Sequence, residues 1–194
     1  MAQQVSIEEI IKQRRTVKPT SMNGKKVPDE LVQQLLQLAD WAPTHGYTEP
    51  WYFVVYSGDQ VQEFCAGHAA LYKANTPAEN FIPGNFDKLK NQGNLASHII
   101  AICMKRGNNP KIPVIEEVAA VSCAVQNMWL GATAMGIAAY WGSGGMTLHP
   151  AMRDYLSLGE EDQVLGLFYL GYTDEPIPAG RRLRPLSEKV LWNR

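Results

Sequence analysis

Four short segments of this chain carry residue types able to hold an anion and a flat ring. Arg14-Arg15-Thr16 closes a helical stretch. Guanidinium forks bind phosphate oxygens bidentately, although a cation pair at a helix end also suits the helix dipole. His45 sits in the polar loop that joins Trp41-Ala42-Pro43 to Glu49-Pro50-Trp51. His68, His98 and His149 are not spaced to bind a metal with it. Donation to a carbonyl or phosphate, or an ordinary loop position, remain for His45. Trp141 precedes Gly142-Ser143-Gly144-Gly145. That run is no nucleophile elbow, which needs Gly where Trp141 stands, and neither a dinucleotide fingerprint nor a P-loop. It is a turn, or a row of N–H groups laid against a flat ligand. Arg181-Arg182-Leu183-Arg184 is a solvated basic run or a flap over an anion. Paired carboxylates, Ser-His-Asp and Cys-His arrangements do not stand out. Either the chain is not an enzyme, or a cofactor carries the chemistry.

The elements that position these residues can be read from spacing. Ser6-Ile7-Glu8-Glu9 has the form of a capping box, so a helix runs to Arg14-Arg15. Pro19 then turns Thr16-Val17-Lys18 extended. Pro28 opens a second helix, with Leu31, Leu35, Leu36 and Leu38 on its apolar stripe. Trp51–Tyr56, His98–Met104, Ile137–Trp141 and Gln163–Tyr172 read as strands. Gly58–Gly67 reads as helix, and a short helix begins near Pro150. Ala74 to Asn94, rich in Asn, Pro and Gly, reads as a long mobile excursion. Val114 to Met135 is the longest helix and is apolar nearly all round, so it must be buried on every side. A subunit interface would achieve that. Alternating helices and strands favour an α/β or α+β sandwich around a mixed sheet.

Bulk properties narrow the partners. The 194 residues suit one domain, 1–194. With 18 basic and 19 acidic residues, the net charge of −1 gives no general pull toward nucleic acid or anionic lipid. Cys65, Cys103 and Cys123 form no CxxC pair, so neither a disulfide framework nor a zinc site is expected. Cys103 and Cys123 read as small core residues. Met1 to Gln13 lacks a signal-peptide core and no apolar run reaches membrane-spanning length, so a cytoplasmic protein is expected.

Several segments together resemble the nitroreductase family of FMN-dependent oxidoreductases. Ile10-Ile11-Lys12-Gln13-Arg14-Arg15-Thr16-Val17 is similar to its N-terminal helix ending in Arg-Arg-Ser. Trp41-Ala42-Pro43-Thr44-His45 through Glu49-Pro50-Trp51-Tyr52-Phe53-Val54-Val55 is similar to its Ala-Pro-Ser…Gln-Pro-Trp-x-Phe-Val-Val loop and strand. Gln126 to Gly136 resembles its central helix, Gly166 to Tyr172 its last core strand, and Arg184-Pro185-Leu186-Ser187-Glu188-Lys189-Val190 its tail. Each motif is weak; the ordered set is specific, and the length resembles the compact branch. The chain departs from the pattern at Glu49, where Gln is common. It departs also at Trp41 and Gly142, where the compact branch can carry Arg.

The resemblance implies an α+β, three-layer sandwich with a central mixed, mainly antiparallel sheet, dimeric, with the long helix at the interface. It implies two FMN sites built from both subunits of a homodimer. Arg14 and Arg15 would contact the phosphate and the ribityl or ring edge, with Thr16 beside them. Trp41 and His45 would lie near the flavin; Trp141, Gly142 and Ser143 would approach from the partner subunit; Arg182 and Arg184 would help neutralise the phosphate. The implied activity is ping-pong transfer from NAD(P)H, the co-substrate, to a nitroaromatic, a quinone or a related acceptor. No metal, nucleic acid or membrane is implied. Two other readings use the same residues: a non-catalytic FMN-binding or sequestering protein, and a dimeric module without cofactor. Rapid mixing with NADH separates the first, and failure to take up FMN supports the second.

Overall fold

The computed structural model describes residues 6–194, so the leader expectation falls partly on residues 1–5, outside the described ones. Ser6 caps α1 (Ile7–Gln13) through the reciprocal pair read from the sequence. The Glu9 N–H donates to Ser6 Oγ at 3.2 Å, and the Ser6 N–H to Glu9 Oε2 at 2.8 Å. Pro28 stands just before α2 (Asp29–Asp40) rather than at its first residue; its fixed φ and missing N–H suit either place. The chain continues through β1 (Trp51–Ser57), α3 (Gln60–Asn75), α4 (Pro83–Asn91) and β2 (His98–Met104). It then forms α5 (Val114–Ala134), β3 (Ala138–Gly142), α6 (Pro150–Tyr155) and β4 (Gln163–Gly171).

The four strands form one sheet in the order β1-β2-β4-β3, and every pair is antiparallel. The sheet is thus antiparallel throughout, with no parallel pair among the described residues. Side chains alternate between two cores. Trp51, Phe53, Ile100, Ile102, Phe168 and Trp141 face α2 and α5. Val54, Tyr56, Ile99, Ala101, Tyr169 and Tyr140 face α3 and α6. Three layers result: helices, sheet, helices. β2, covered on both faces and paired on both edges, is buried at every residue, which explains its apolar run from Ile99 to Met104.

Three expectations change. The stretch from Ala74 to Asn94 is not a structureless excursion. It completes α3, makes a turn at Ala78–Asn80, and forms α4 against α3. Leu89 is the residue α4 buries, and one apolar anchor among Asn, Gly and Lys gives no readable period. Cys103 is in the core, but Cys123 is exposed. It lies on a face of α5 that also carries Ile115, Ala119 and Gln126, all exposed, so within one chain this helix is buried on one side rather than on every side.

Candidate functional site

The segment after α1 crosses the free edge of the sheet. Val17 N–H donates to the Ala139 carbonyl of edge strand β3 at 3.0 Å. Val17 and Pro19 are buried, and Thr16 and Lys18, alternating with them, are exposed. The period of two puts alternate side chains on opposite sides. At the start of the segment, the Arg14 guanidinium lies 4.4 Å from the ring of Trp129 on α5. Its Nη1 is buried and makes no hydrogen bond, and neither does the buried Nε1 of Trp129. Burial first, then the charges of Arg15 and Arg182, push this guanidinium below the ordinary arginine range. A half-buried cation with one buried free donor and two cationic neighbours would be relieved by an anion.

The tail reaches Arg14 because Arg15 holds it. Arg15 Nε donates to Pro178 O at 3.1 Å and Nη1 to Arg14 O at 2.6 Å. Gly180 lies against the same guanidinium so closely that a Cβ there would collide with it. Arg15 is a strap for the tail, which brings Arg182 toward Arg14. Arg184 is exposed, with its carbonyl bonded to Lys189 Nζ at 2.9 Å.

On the other side of the β3 edge lies a cavity of about 560 Å³. Lys18, Pro19 and Thr20 form one wall, Gly142, Gly144 and Gly145 another, and Asn85, Lys88 and Gln92 a third. Tyr140 and Tyr169 belong to the sheet wall. Gly144 presents bare backbone, with open space where a side chain would stand. Gly145 has φ +64, and a Cβ there would come within 2.6 Å of Leu89 and 2.8 Å of His68 Nε2. His68 is buried and accepts the Met146 N–H at 2.9 Å. Burial pushes its pKa down to about 4, so the ring stays neutral and holds the glycine loop as an acceptor.

The residues singled out in the sequence separate into groups. Gly142 shares its cavity with Lys18 and Thr20 of its own chain, so no partner copy is needed to join them. Trp141 points to the opposite face, packs in the α5 core and donates its indole N–H to Leu165 O at 3.2 Å. Its side chain therefore lies on the opposite sheet face from the cavity that Gly142 lines, because neighbours on a strand face opposite ways. Ser143 is exposed and outside the cavity wall. Trp41 is exposed at the end of α2. His45 Nδ1 lies 2.5 Å from Glu116 Oε2 near the start of α5. Trp129 comes 13 residues later, about 20 Å along a helix axis, so one chain does not bring His45 to Arg14.

Lys18, His68 and Lys88 are not among the site residues read from the sequence. The alternation Thr16-Val17-Lys18 was a usable sign for Lys18. The spacing Val61, Phe64, Cys65, His68 and Ala69 on α3 was one for His68. Lys88 needed α4 first. A Ser-His-Asp chain also exists, contrary to expectation: Ser97 Oγ is 2.9 Å from His98 Nδ1, and His98 Nε2 is 2.9 Å from Asp29 Oδ1. Ser97 is fully buried and accepts the Val27 N–H at 2.7 Å. It is closed to substrate and ties the start of α2 to β2.

The α+β sandwich has counterparts among solved structures. Residues 11–172 match the model of the nitroreductase family, and the chain belongs to that family. YdjA of Escherichia coli K12, provisionally named an NAD(P)H nitroreductase, is 31% identical over 142 residues, 73% of this chain and 75% of its own. A nitroreductase-like family protein from Bacillus cereus superposes with a TM-score of 0.86 at 27% identity, covering 100% of this chain and 98% of that one. A Desulfovibrio desulfuricans protein solved in complex with FMN shares the fold, with TM-score 0.72, 23% identity and 99% of both chains covered. Among the described residues, no helix is long and apolar enough to cross a membrane.

Proposed function

We propose that this chain is an FMN-dependent oxidoreductase that takes electrons from NAD(P)H and reduces nitroaromatics, quinones or related acceptors in two half-reactions. The observation that carries this reading is Arg14, a half-buried guanidinium with one buried N–H unpaired and with Arg182 nearby. Four residues further along the same segment, Lys18 lines a cavity whose wall includes bare glycine backbone. That is a place for a molecule with a dianionic end and a flat, polar-edged end. FMN has both, and the FMN complex of a fold relative supports the choice.

In this reading Arg14 and Arg182 hold the phosphate, and Lys18 and Thr20 face the ring system. When bound, FMN supplies the two-electron transfer between nicotinamide and acceptor. The chain's own part is binding, orientation and charge. Lys18 offers a positive charge toward any ring edge that gains electron density. Gly142, Gly144 and Gly145 let backbone approach a flat ligand where a side chain would intrude. His68 keeps that loop in place by accepting the Met146 N–H. No side chain is assigned as a general acid.

The working unit is a homodimer. The exposed face of α5, with Ile115 at 69% exposure, and the exposed tail side chains Leu183, Leu191 and Trp192 support this, since large unpartnered apolar surface marks an interface. Trp41 and His45 would then reach the flavin of the other subunit. Stopped-flow mixing of the FMN-loaded protein with NADH and with NADPH tests the activity. Rapid loss of the yellow absorbance with either donor, and its return on adding a quinone, is expected. A flavin that stays oxidised with both donors would refute turnover.

A further inference from the structure

A second, smaller cleft of about 420 Å³ lies between the loop that follows α2 and the loop that follows β2. It shares no lining residue with the glycine-walled cavity. Both loops are fixed from below. Glu117, 1% exposed, accepts from Arg106 Nη1 at 2.6 Å and from the Gly107 N–H at 3.0 Å. A Cβ at Gly107 would come within 2.9 Å of the Thr48 methyl, so the two loops touch there. Thr44 Oγ1 accepts the Glu49 N–H at 3.1 Å and meets Thr48 Oγ1 at 3.0 Å. These contacts hold Tyr47 and Glu49 in left-handed backbone, at φ 54 and 42, which residues with a Cβ seldom adopt. Such strain persists only where the surroundings fix it.

The cleft wall then offers four groups to a ligand. Tyr47 is 90% exposed, a bare aromatic face. Lys105 Nζ sits 4.8 Å from the Tyr52 ring and, among the described residues, lies within ion-pairing distance of no carboxylate. Arg106 also lines the cleft but is committed to Glu117 and, at 2.7 Å, to the Ile112 carbonyl. Glu49 stands where Gln is common in the family, and no ion pair among the described residues engages its carboxylate. Asn108 and Asn109 add amides. A flat base stacks on an aromatic face, and a phosphate is drawn to a cation. A ribose 2′-hydroxyl donates to a carboxylate, which repels a phosphate on the same carbon. Adenosine linked to a pyrophosphate carries all of these partners.

We infer that this cleft holds the adenosine end of the nicotinamide donor and selects NADH over NADPH. Tyr47 stacks on the adenine, Lys105 faces the pyrophosphate, and Glu49 accepts the ribose 2′-hydroxyl and repels a 2′-phosphate. The inference rests on the proposed oxidoreductase activity and on the homodimer, which brings His45, two residues before Tyr47, to the flavin of the other subunit. The adenosine end is unchanged by the reaction and serves only recognition.

The test measures kcat/KM for NADH, for NADPH and for 1-benzyl-1,4-dihydronicotinamide, a donor with no adenosine, on the FMN-loaded protein with a quinone as acceptor. NADH should exceed NADPH. In Glu49→Gln the NADH-to-NADPH ratio should fall by roughly twofold to fivefold, as for one exposed charge contact. In Tyr47→Ala the ratio of NADH to the benzyl donor should fall by about fivefold or more, the scale of one lost stacking contact, and Tyr47→Phe should retain it. A preference for NADPH overturns the inference. So does a donor ratio unmoved in Glu49→Gln, or a Tyr47→Ala variant that slows NADH and the benzyl donor alike. Calorimetry on the same holoprotein reads the site without turnover: ADP-ribose should bind more tightly than its 2′-phosphate, and Tyr47→Ala should weaken it. A protein that NADH does not reduce but that binds ADP-ribose through Tyr47 loses the activity reading and keeps the cleft. One that NADH reduces without regard to Tyr47 and Glu49 loses this inference alone.

Discussion

Arg14 and His68 show how single side chains are committed to this site. Arg14 is half-buried on Trp129 without a carboxylate, so its charge is a cost to the fold that a phosphate would relieve. Arg14→Ala should weaken FMN binding by about tenfold or more, the scale of one lost charge-assisted contact. It should leave the melting temperature of the FMN-free protein unchanged or higher. Fluorescence titration with FMN and a melting curve check both. His68 gives a pH signature. The folded chain takes up its proton only near pH 4, whereas the ordinary value is 6.5. The unfolded chain therefore binds more protons between those values, and stability falls as pH drops through that window, by about 3 kcal/mol at its lower end. Above pH 6.5 this contribution is constant. Urea unfolding at a series of pH values should show the decline in the wild type and a shallower one in His68→Gln.

At the scale of elements, the sheet edge decides the site. A bulge between Ile102 and Cys103 shifts the β2–β4 register opposite Gly166, and the Trp141 indole crosses Gly166 where a Cβ would stand. That indole is fixed by its bond to Leu165 O, so it cannot swing aside. Gly166→Ala should cost about 1–3 kcal/mol, read by chemical denaturation, and should loosen β3, which carries Gly142. The elements themselves were largely legible. The capping box at Ser6, the apolar stripe of α2 and the four strands follow from periods and caps. What was not legible follows from weak or divided signals. α4 buries one residue, so its period is lost. Trp141 and Gly142 are adjacent in sequence but face opposite ways, and loop or ring proximity cannot be inferred from adjacency. Cys123 lies in an apolar helix, on the face that its own chain leaves exposed. Arg15 reads as a clamp beside Arg14, yet its donors go to backbone carbonyls, a contact set by a tail 163 residues away in sequence.

For the whole molecule, the single chain holds the cationic pocket and the glycine-walled cavity but leaves His45, Trp41 and one face of α5 outside them. A homodimer would cover that face and bring those residues to the ring. Light scattering should give twice the chain mass of 21.6 kDa. Removing residues 176–194 should lower both dimer stability and FMN retention, because the segment carries Arg182 and the exposed Leu183, Leu191 and Trp192. A truncated chain that keeps both would place the interface and the phosphate site elsewhere. The most direct measurement is the absorption spectrum of the freshly purified protein, with heat release and mass analysis of any yellow compound. The account predicts FMN at about one equivalent per chain. A colourless protein that stays colourless after incubation with FMN would contradict it.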